Sequence, residues 1–211
     1  MGSIHFKTSS ERLFAGRFAV PLGKLVSVVD ERGRVVRLHW DEGQPLEELL
    51  PDLLPEGFRI RASRGHDAEL RNQVREYLKG TRKRFELALA PFGTDFQLRV
   101  WSQVARIPFG KTLTYSKLAE RANAPGAIRA VARANALNPC VLVCPCHRVL
   151  GARGRLTGYG LGVPTKAALL DWEASGLEKV RWPQQLALHA KARSTDRWSS
   201  GAPAARRTKA R

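Results

Sequence analysis

The stretch Val143-Cys144-Pro145-Cys146-His147-Arg148-Val149 sets a thiol beside an imidazole at the end of an apolar run. The thiolate is the reactive form of cysteine, and a free thiol is only about 3% ionised at neutral pH. A base that takes the proton during attack therefore separates a nucleophilic sulfur from an inert one. Pro145, with a fixed φ and no N–H, stiffens the chain just before Cys146. Adjacency in sequence is not geometry, and spacing alone leaves two readings open: a Cys146–His147 nucleophile pair, or a buried, unreactive cysteine. Cys140 and Cys144 read most simply as small buried hydrophobes, with a second reactive thiol or oxidative pairing with Cys146 left open for Cys144. A zinc site from Cys140, Cys144, Cys146 and His147, spaced C-x3-C-x-C-H with no second half-site, is a poor reading, because ligands so close in sequence rarely close a tetrahedron. No metal and no cofactor is expected. The glycine-rich stretch Gly151 to Gly162 neither follows a strand nor opens a helix as a nucleotide loop does. A flexible loop walling a pocket, with Tyr159 as its one aromatic, fits better.

These residues need a frame. Leu25-Val26-Ser27-Val28-Val29 and Val35-Val36-Arg37-Leu38-His39-Trp40 flank the turn residues Asp30-Glu31-Arg32-Gly33, which predicts a hairpin within a strand-rich segment over residues 11–40. A short helix is expected at Leu46 to Leu50. Asp67 is placed to cap a helix in which Leu70, Val74 and Leu78 share one face and Gly80 ends the run. Phe85, Leu87 and Leu89 alternate as in a half-buried strand. Pro91-Phe92-Gly93 reads as a boundary. Beyond it, Phe96, Val100, Trp101 and Val104 predict a core-facing helix stopped by Ile107-Pro108-Phe109-Gly110. Thr114 caps a second helix through Leu118 and Ala122, and Asn123-Ala124-Pro125-Gly126 connects it to an alanine-rich third, Ala127 to Ala136. Two helices with a short turn, and positive charge on the second, form a helix-turn-helix pattern. Cys140 to Cys144 reads as a buried strand or extended segment, and Pro164-Thr165 starts a last helix with Leu169 and Leu170 inward.

Composition narrows the partners. At 211 residues and 43% hydrophobic, the chain has material for one large or two small domains. A net charge of +17 and a pI near 10.8 favour a polyanion, with nucleic acid the better choice over simple solubility. No apolar stretch is long enough to span a membrane, and the first ten residues lack a signal-peptide core, so the reading is an intracellular protein with reduced thiols. From about residue 176 the periodicity fades. Eight basic side chains from Arg181 to Arg211 face only Asp196, which reads as a disordered basic tail that either adds DNA affinity or is an idle extension.

Pro145-Cys146-His147-Arg148-Val149 also resembles the active-site signature of the O6-alkylguanine-DNA alkyltransferases. So do its flanks: Asn138-Pro139, Gly158-Tyr159-Gly160, and Phe96-Gln97 with Val100-Trp101 and Ile107-Pro108-Phe109-Gly110. The strong resemblance covers about residues 91–175. It implies an α+β fold. A small N-terminal sheet-plus-helix, ribonuclease H-like domain (1–90) precedes a mostly helical, winged helix-turn-helix-like domain (91–176), with the tail at 177–211. It implies irreversible transfer of an alkyl group from O6-alkylguanine, and O4-alkylthymine, in duplex DNA to Cys146 after base flipping from the minor groove. His147 would act as base, Glu173 would orient it, Tyr115 would donate to the base, and Asn138 would brace the thiol turn. Arg129, Arg133, Thr114, Tyr115, Ala127 and Ala130 would meet DNA, with Arg129 inserting into the stack or, alternatively, touching a phosphate. Tyr159, Gly160, Val149 and Arg148 would line the pocket; relatives often carry a serine where Gly160 stands. Some relatives hold zinc in the N-terminal half, but residues 1–139 contain no cysteine. The implied protein is a DNA-associated, cytoplasmic, bacterial monomer with no membrane partner, its cooperativity on DNA left open.

Overall fold

The computed structural model describes residues 12–55 and 57–175. The basic segment 177–211 lies outside the described residues. The architecture is α+β. Strands β1 (Arg12–Val20), β2 (Gly23–Asp30), β3 (Val35–Trp40) and β4 (Arg59–Ala62) form one sheet in the order β3-β2-β1-β4, antiparallel except for the β1–β4 pair. Helix α1 (Leu46–Leu53) follows β3, and α2 (Ala68–Lys79) follows β4. The second half is mostly helical: α3 (Asp95–Ala105), β5 (Leu113–Thr114), α4 (Tyr115–Arg121), α5 (Ile128–Ala136), β6 (Val149–Leu150) and α6 (Val163–Ser175).

The hairpin expected from sequence is β2–β3. Its turn is held by Asp30 Oδ1, which accepts from the backbone N–H groups of Arg32 and Arg34 at 3.0 Å each. The sheet is covered on both faces, which is why β2 reads as a continuous apolar run. Leu13, Ala15, Val26 and Val28 pack with Leu49, Leu50 and Leu54 on one side. On the other, Phe18, Leu25 and Val29 join Leu70, Val74 and Tyr77 of α2 in a core that runs on without a break through Val100, Trp101 and Trp172. Trp101 anchors α3 to α5 by donating its indole N–H to Ala134 O at 2.7 Å. Gly93 makes room for it: a Cβ there would lie 2.5 Å from the Trp101 ring.

Four local expectations change. Asp67 stands at the head of α2 but does not cap it; its carboxylate turns inward to the hydroxyls of Ser27 and Ser63 and to Arg71. Phe85 to Leu89 forms no strand, only a bridge from Leu89 to Val35. Cys140 to Cys144 is likewise a buried turn, with Leu142 at φ +67° and Cys144 N–H bonded to Cys140 O at 2.8 Å. Both segments dock on the outer edge of β3: Val35 pairs with residues 88–90, and Leu38 pairs with Pro139 and Val141. Sharing one six-residue edge leaves neither segment a full ladder. Leu170 is half-buried, while Ala168, Leu169 and Trp172 fill the core. The exposed β4 and the two-residue pair β5–β6 carry too little apolar pattern to be read in advance.

Candidate active site

Residues 138–149 form a buried turn around Cys146, which is itself buried. Asn138 ties the turn at both ends: its Nδ2 donates to Cys144 O at 2.7 Å, and its Oδ1 accepts from Cys140 N at 3.0 Å. Pro145, at φ −81° and ψ 68°, bends the chain so that Cys146 N–H bonds Cys144 O at 2.8 Å. That is an inverse γ-turn, whose φ proline fixes in advance. A 3-10 turn, Cys146–Arg148, follows and leads into β6. Burial pushes the Cys146 thiol up from its ordinary pKa, opposed by the Asn138 side chain, the Lys166 charge and the N–H groups of Cys146 and His147.

The imidazole of His147 is fully buried. Its Nε2 lies 2.8 Å from Glu173 Oε1. Its Nδ1 is buried with no protein hydrogen-bond partner among the described residues. Burial lowers the His147 pKa, with Glu173 pulling the other way. Both shifts favour a thiol and a neutral imidazole at rest. With the proton on Nε2, pointed at the carboxylate, Nδ1 is left as the free base.

Glu173 is buried, not the surface carboxylate that its position near a helix end allows. Besides His147, it accepts from Arg148 Nε and Nη2 at 2.8–3.0 Å, from Gly110 N–H at 2.9 Å and from the Tyr77 hydroxyl at 2.5 Å. Gly110 has φ +69°, and a Cβ there would sit 3.2 Å from Glu173 O, so glycine suits both the turn and the approach. Burial alone would raise Glu173, but His147 and Arg148 outweigh it and bring its pKa down to about 2. Arg148, expected on the pocket wall, sends its guanidinium into Glu173 and, through Nη1, to Ile107 O at 2.5 Å.

Two functional candidates escaped the sequence reading. Lys166 is fully buried, donating Nζ to Val149 O at 2.5 Å and to Thr157 O at 3.2 Å, so it pins the glycine-rich loop to β6. Burial lowers its pKa, while nearby Cys146 raises it. The available signal was a lysine on the stripe of Leu169, Trp172 and Glu173, an apolar face where a cation needs a partner. Tyr77 gave no such signal, since a tyrosine on the stripe of Leu70 and Val74 is normally core.

The remaining expected residues fall in two groups. The loop sets the Tyr159 ring edge-on to His147, with centroids 6.4 Å apart, while Gly160 is exposed and Val149 is buried in β6. Parallel pairing of Leu113 with Val149 and Thr114 with Leu150 brings the head of α4 alongside the segment leaving Arg148. Thr114 caps α4 by accepting from Lys117 N at 3.3 Å, and the Tyr115 hydroxyl accepts from Asn135 Nδ2 at 3.5 Å. On α5, Val131 and Ala134 face the core, whereas Arg129, Ala130 and Arg133 are exposed and Ala127, at its head, is half-buried. No group of three or more His, Cys, Asp or Glu residues able to hold a metal occurs among the described residues. No helix among them is long and apolar enough to cross a membrane.

Known proteins similar to this chain share one description. The family described as "6-O-methylguanine DNA methyltransferase, DNA binding domain" matches residues 95–175. A methylated-DNA–protein-cysteine methyltransferase of Mycobacterium tuberculosis is 47% identical over 117 residues, 56% of this chain and 68% of the relative. One from Shigella flexneri is 39% identical over 165 residues, 77% of this chain and 96% of the relative. Among solved structures, the M. tuberculosis OGT in complex with DNA superposes with a TM-score of 0.67 at 32% identity, covering 83% of this chain and 99% of the other.

Proposed function

The chain belongs to the O6-methylguanine DNA methyltransferase family and shares its activity, DNA repair by transfer of an alkyl group to a cysteine of the protein; we propose that the acceptor is Cys146. The observation that carries this reading is the His147 ring, one residue on, with Nε2 held by Glu173 and Nδ1 free. Sγ attacks the alkyl carbon in line, the S–C bond forms as the C–O bond to the purine breaks, and the thiol proton passes through a water to Nδ1. The purine oxyanion that leaves is neutralised by a proton, with the Tyr115 hydroxyl as the donor nearest in role. The product is a thioether, which no residue here hydrolyses, so each molecule acts once.

The substrate is O6-alkylguanine in duplex DNA, with O4-alkylthymine as a second lesion. The reacting atom is buried in the stack, so the nucleotide is rotated out at a cost of a few kcal/mol. The exposed face of α5 supports this: Ala127 and Ala130 let the helix approach a minor groove, Arg133 meets phosphate, and Arg129 fills the gap left by the base. Tyr159 and Gly160 line the extruded base's pocket. Arg148 and Val149 belong to that wall through their backbone, since Arg148 is spent on Glu173. On this reading residues 1–90 form a ribonuclease H-like unit and 91–176 a winged helix-turn-helix-like unit, the protein being a DNA-associated cytoplasmic monomer. The test is Cys146→Ala on a duplex with one O6-methylguanine. Binding is retained and transfer abolished; transfer at the normal rate would overturn the assignment.

A further inference from the structure

The first half of the chain showed no chemistry in its sequence, yet its helix α2 sends one polar atom into the active site. Tyr77 is fully buried, its ring packed edge-on to Trp172 at 4.7 Å and to Phe109 at 6.0 Å and tilted against Phe85 at 5.0 Å. The hydroxyl lies 2.5 Å from Glu173 Oε1 and 3.5 Å from His147 Nε2. Oε1 is the same oxygen that receives His147. We propose that Tyr77 is a positioning residue of alkyl transfer: its hydroxyl competes with His147 for Glu173 Oε1, sets how much carboxylate charge the imidazole feels, and so ties the reaction to the N-terminal unit. This rests on the reading of His147 as the base.

A hydroxyl that only filled space would not need this geometry. Burial and the Glu173 charge push the Tyr77 ionisation well above its ordinary value, so it stays neutral and donates. Every donor on Oε1 draws charge from the carboxylate and makes it a weaker partner for imidazolium. The groups around the pair are accounted for. From the catalytic turn come Cys146, His147 and Arg148; from the segment after α3, the Gly110 N–H; from α6, Lys166, whose charge also opposes protonation of His147. From the glycine-rich loop comes Tyr159, and Lys83 lies over the Phe109 ring at 6.0 Å. Apart from His147 itself, Tyr77 is the one uncharged side-chain donor to the shared oxygen among the described residues.

The direction of the effect follows. The base must be neutral, so the transfer rate falls as pH drops through the His147 pKa. Tyr77→Phe keeps the ring and removes one donor, leaving Glu173 a better partner for imidazolium. The expected result, for the full chain at saturating duplex carrying one O6-methylguanine, is an acid limb moved up by about half a pH unit, the order of one neutral hydrogen bond. The His147 imidazole titration, followed by NMR without DNA and assigned with His147→Asn, moves with it. Site-specific 3-fluorotyrosine at position 77, a stronger donor, moves both the other way. Both variants leaving the limb and the titration in place would overturn the proposal, since a structural role alone lowers stability without moving either. If the wild-type limb does not follow the His147 titration, the assignment of His147 as base fails instead, and the NMR shift still decides the role of Tyr77.

Discussion

Glu173→Gln tests how much of the site is held by one carboxylate. In the native structure Glu173 balances the buried guanidinium of Arg148 and accepts from His147, Tyr77 and Gly110. Glutamine keeps the shape but removes the charge and turns one acceptor into a donor, amid the donors of Arg148, His147, Tyr77 and Gly110 already in place. The native Glu173 pKa is depressed from 4.5 to about 2. At 1.36 kcal/mol per unit, that corresponds to about 3 kcal/mol at neutral pH. Removing one partner of a buried ion pair costs about 3–5 kcal/mol by independent measure, so the two figures agree. For a chain of this size the loss lowers Tm by roughly 10 °C. The assay is urea unfolding of the wild type, Glu173→Gln, Arg148→Met and the double variant. Because the residues share one network, the double variant is expected to lose less than the two single losses added. A loss under about 1 kcal/mol for Glu173→Gln, or strict additivity in the cycle, would refute the reasoning.

Other consequences are separable. Lys166→Met removes the lysine donor from the buried Val149 O, a loss of about 1–3 kcal/mol if it is left unsatisfied, and from the part-buried Thr157 O; limited proteolysis should then cut within 151–162 faster, at a reduced transfer rate. Stability against pH should fall in two steps. The folded His147 pKa lies below its ordinary 6.5, so the unfolded chain takes up a proton that the fold refuses as pH drops below that value. The Glu173 contribution is present above about 4.5 and is lost as pH falls towards about 2; a denaturant series over pH checks both. Arg129→Ala should slow repair of duplex more than reaction with the free alkylated base, which needs no extrusion; equal losses would place Arg129 in the fold or the pocket.

Much of this was legible in the sequence because it is local. The β2–β3 hairpin, the stripe of α2, the Thr114 helix start, and the Cys146–His147 adjacency each lie within a short window. The Asn138 brace reaches only six residues. What escaped depends on long-range contact. Tyr77 meets Glu173 across 96 residues, and nothing around position 77 distinguishes its hydroxyl from that of a core tyrosine. Phe85–Leu89 and Cys140–Cys144 have the composition of strands, but both dock on β3, and local pattern does not encode sharing an edge. Asp67 has a capping residue's identity and position, yet Ser27, distant in sequence, offers its carboxylate a better-buried partner.

The most direct test of the central claim is the location of the transferred group. The full chain is incubated with an equimolar duplex bearing a single O6-methylguanine, digested, and mapped by peptide mass spectrometry. The account predicts one methyl group per molecule, on Cys146, with guanine restored in the DNA and no further transfer when fresh substrate is added. A methyl group on Cys144 or Cys140, or repair continuing beyond one equivalent, would contradict it.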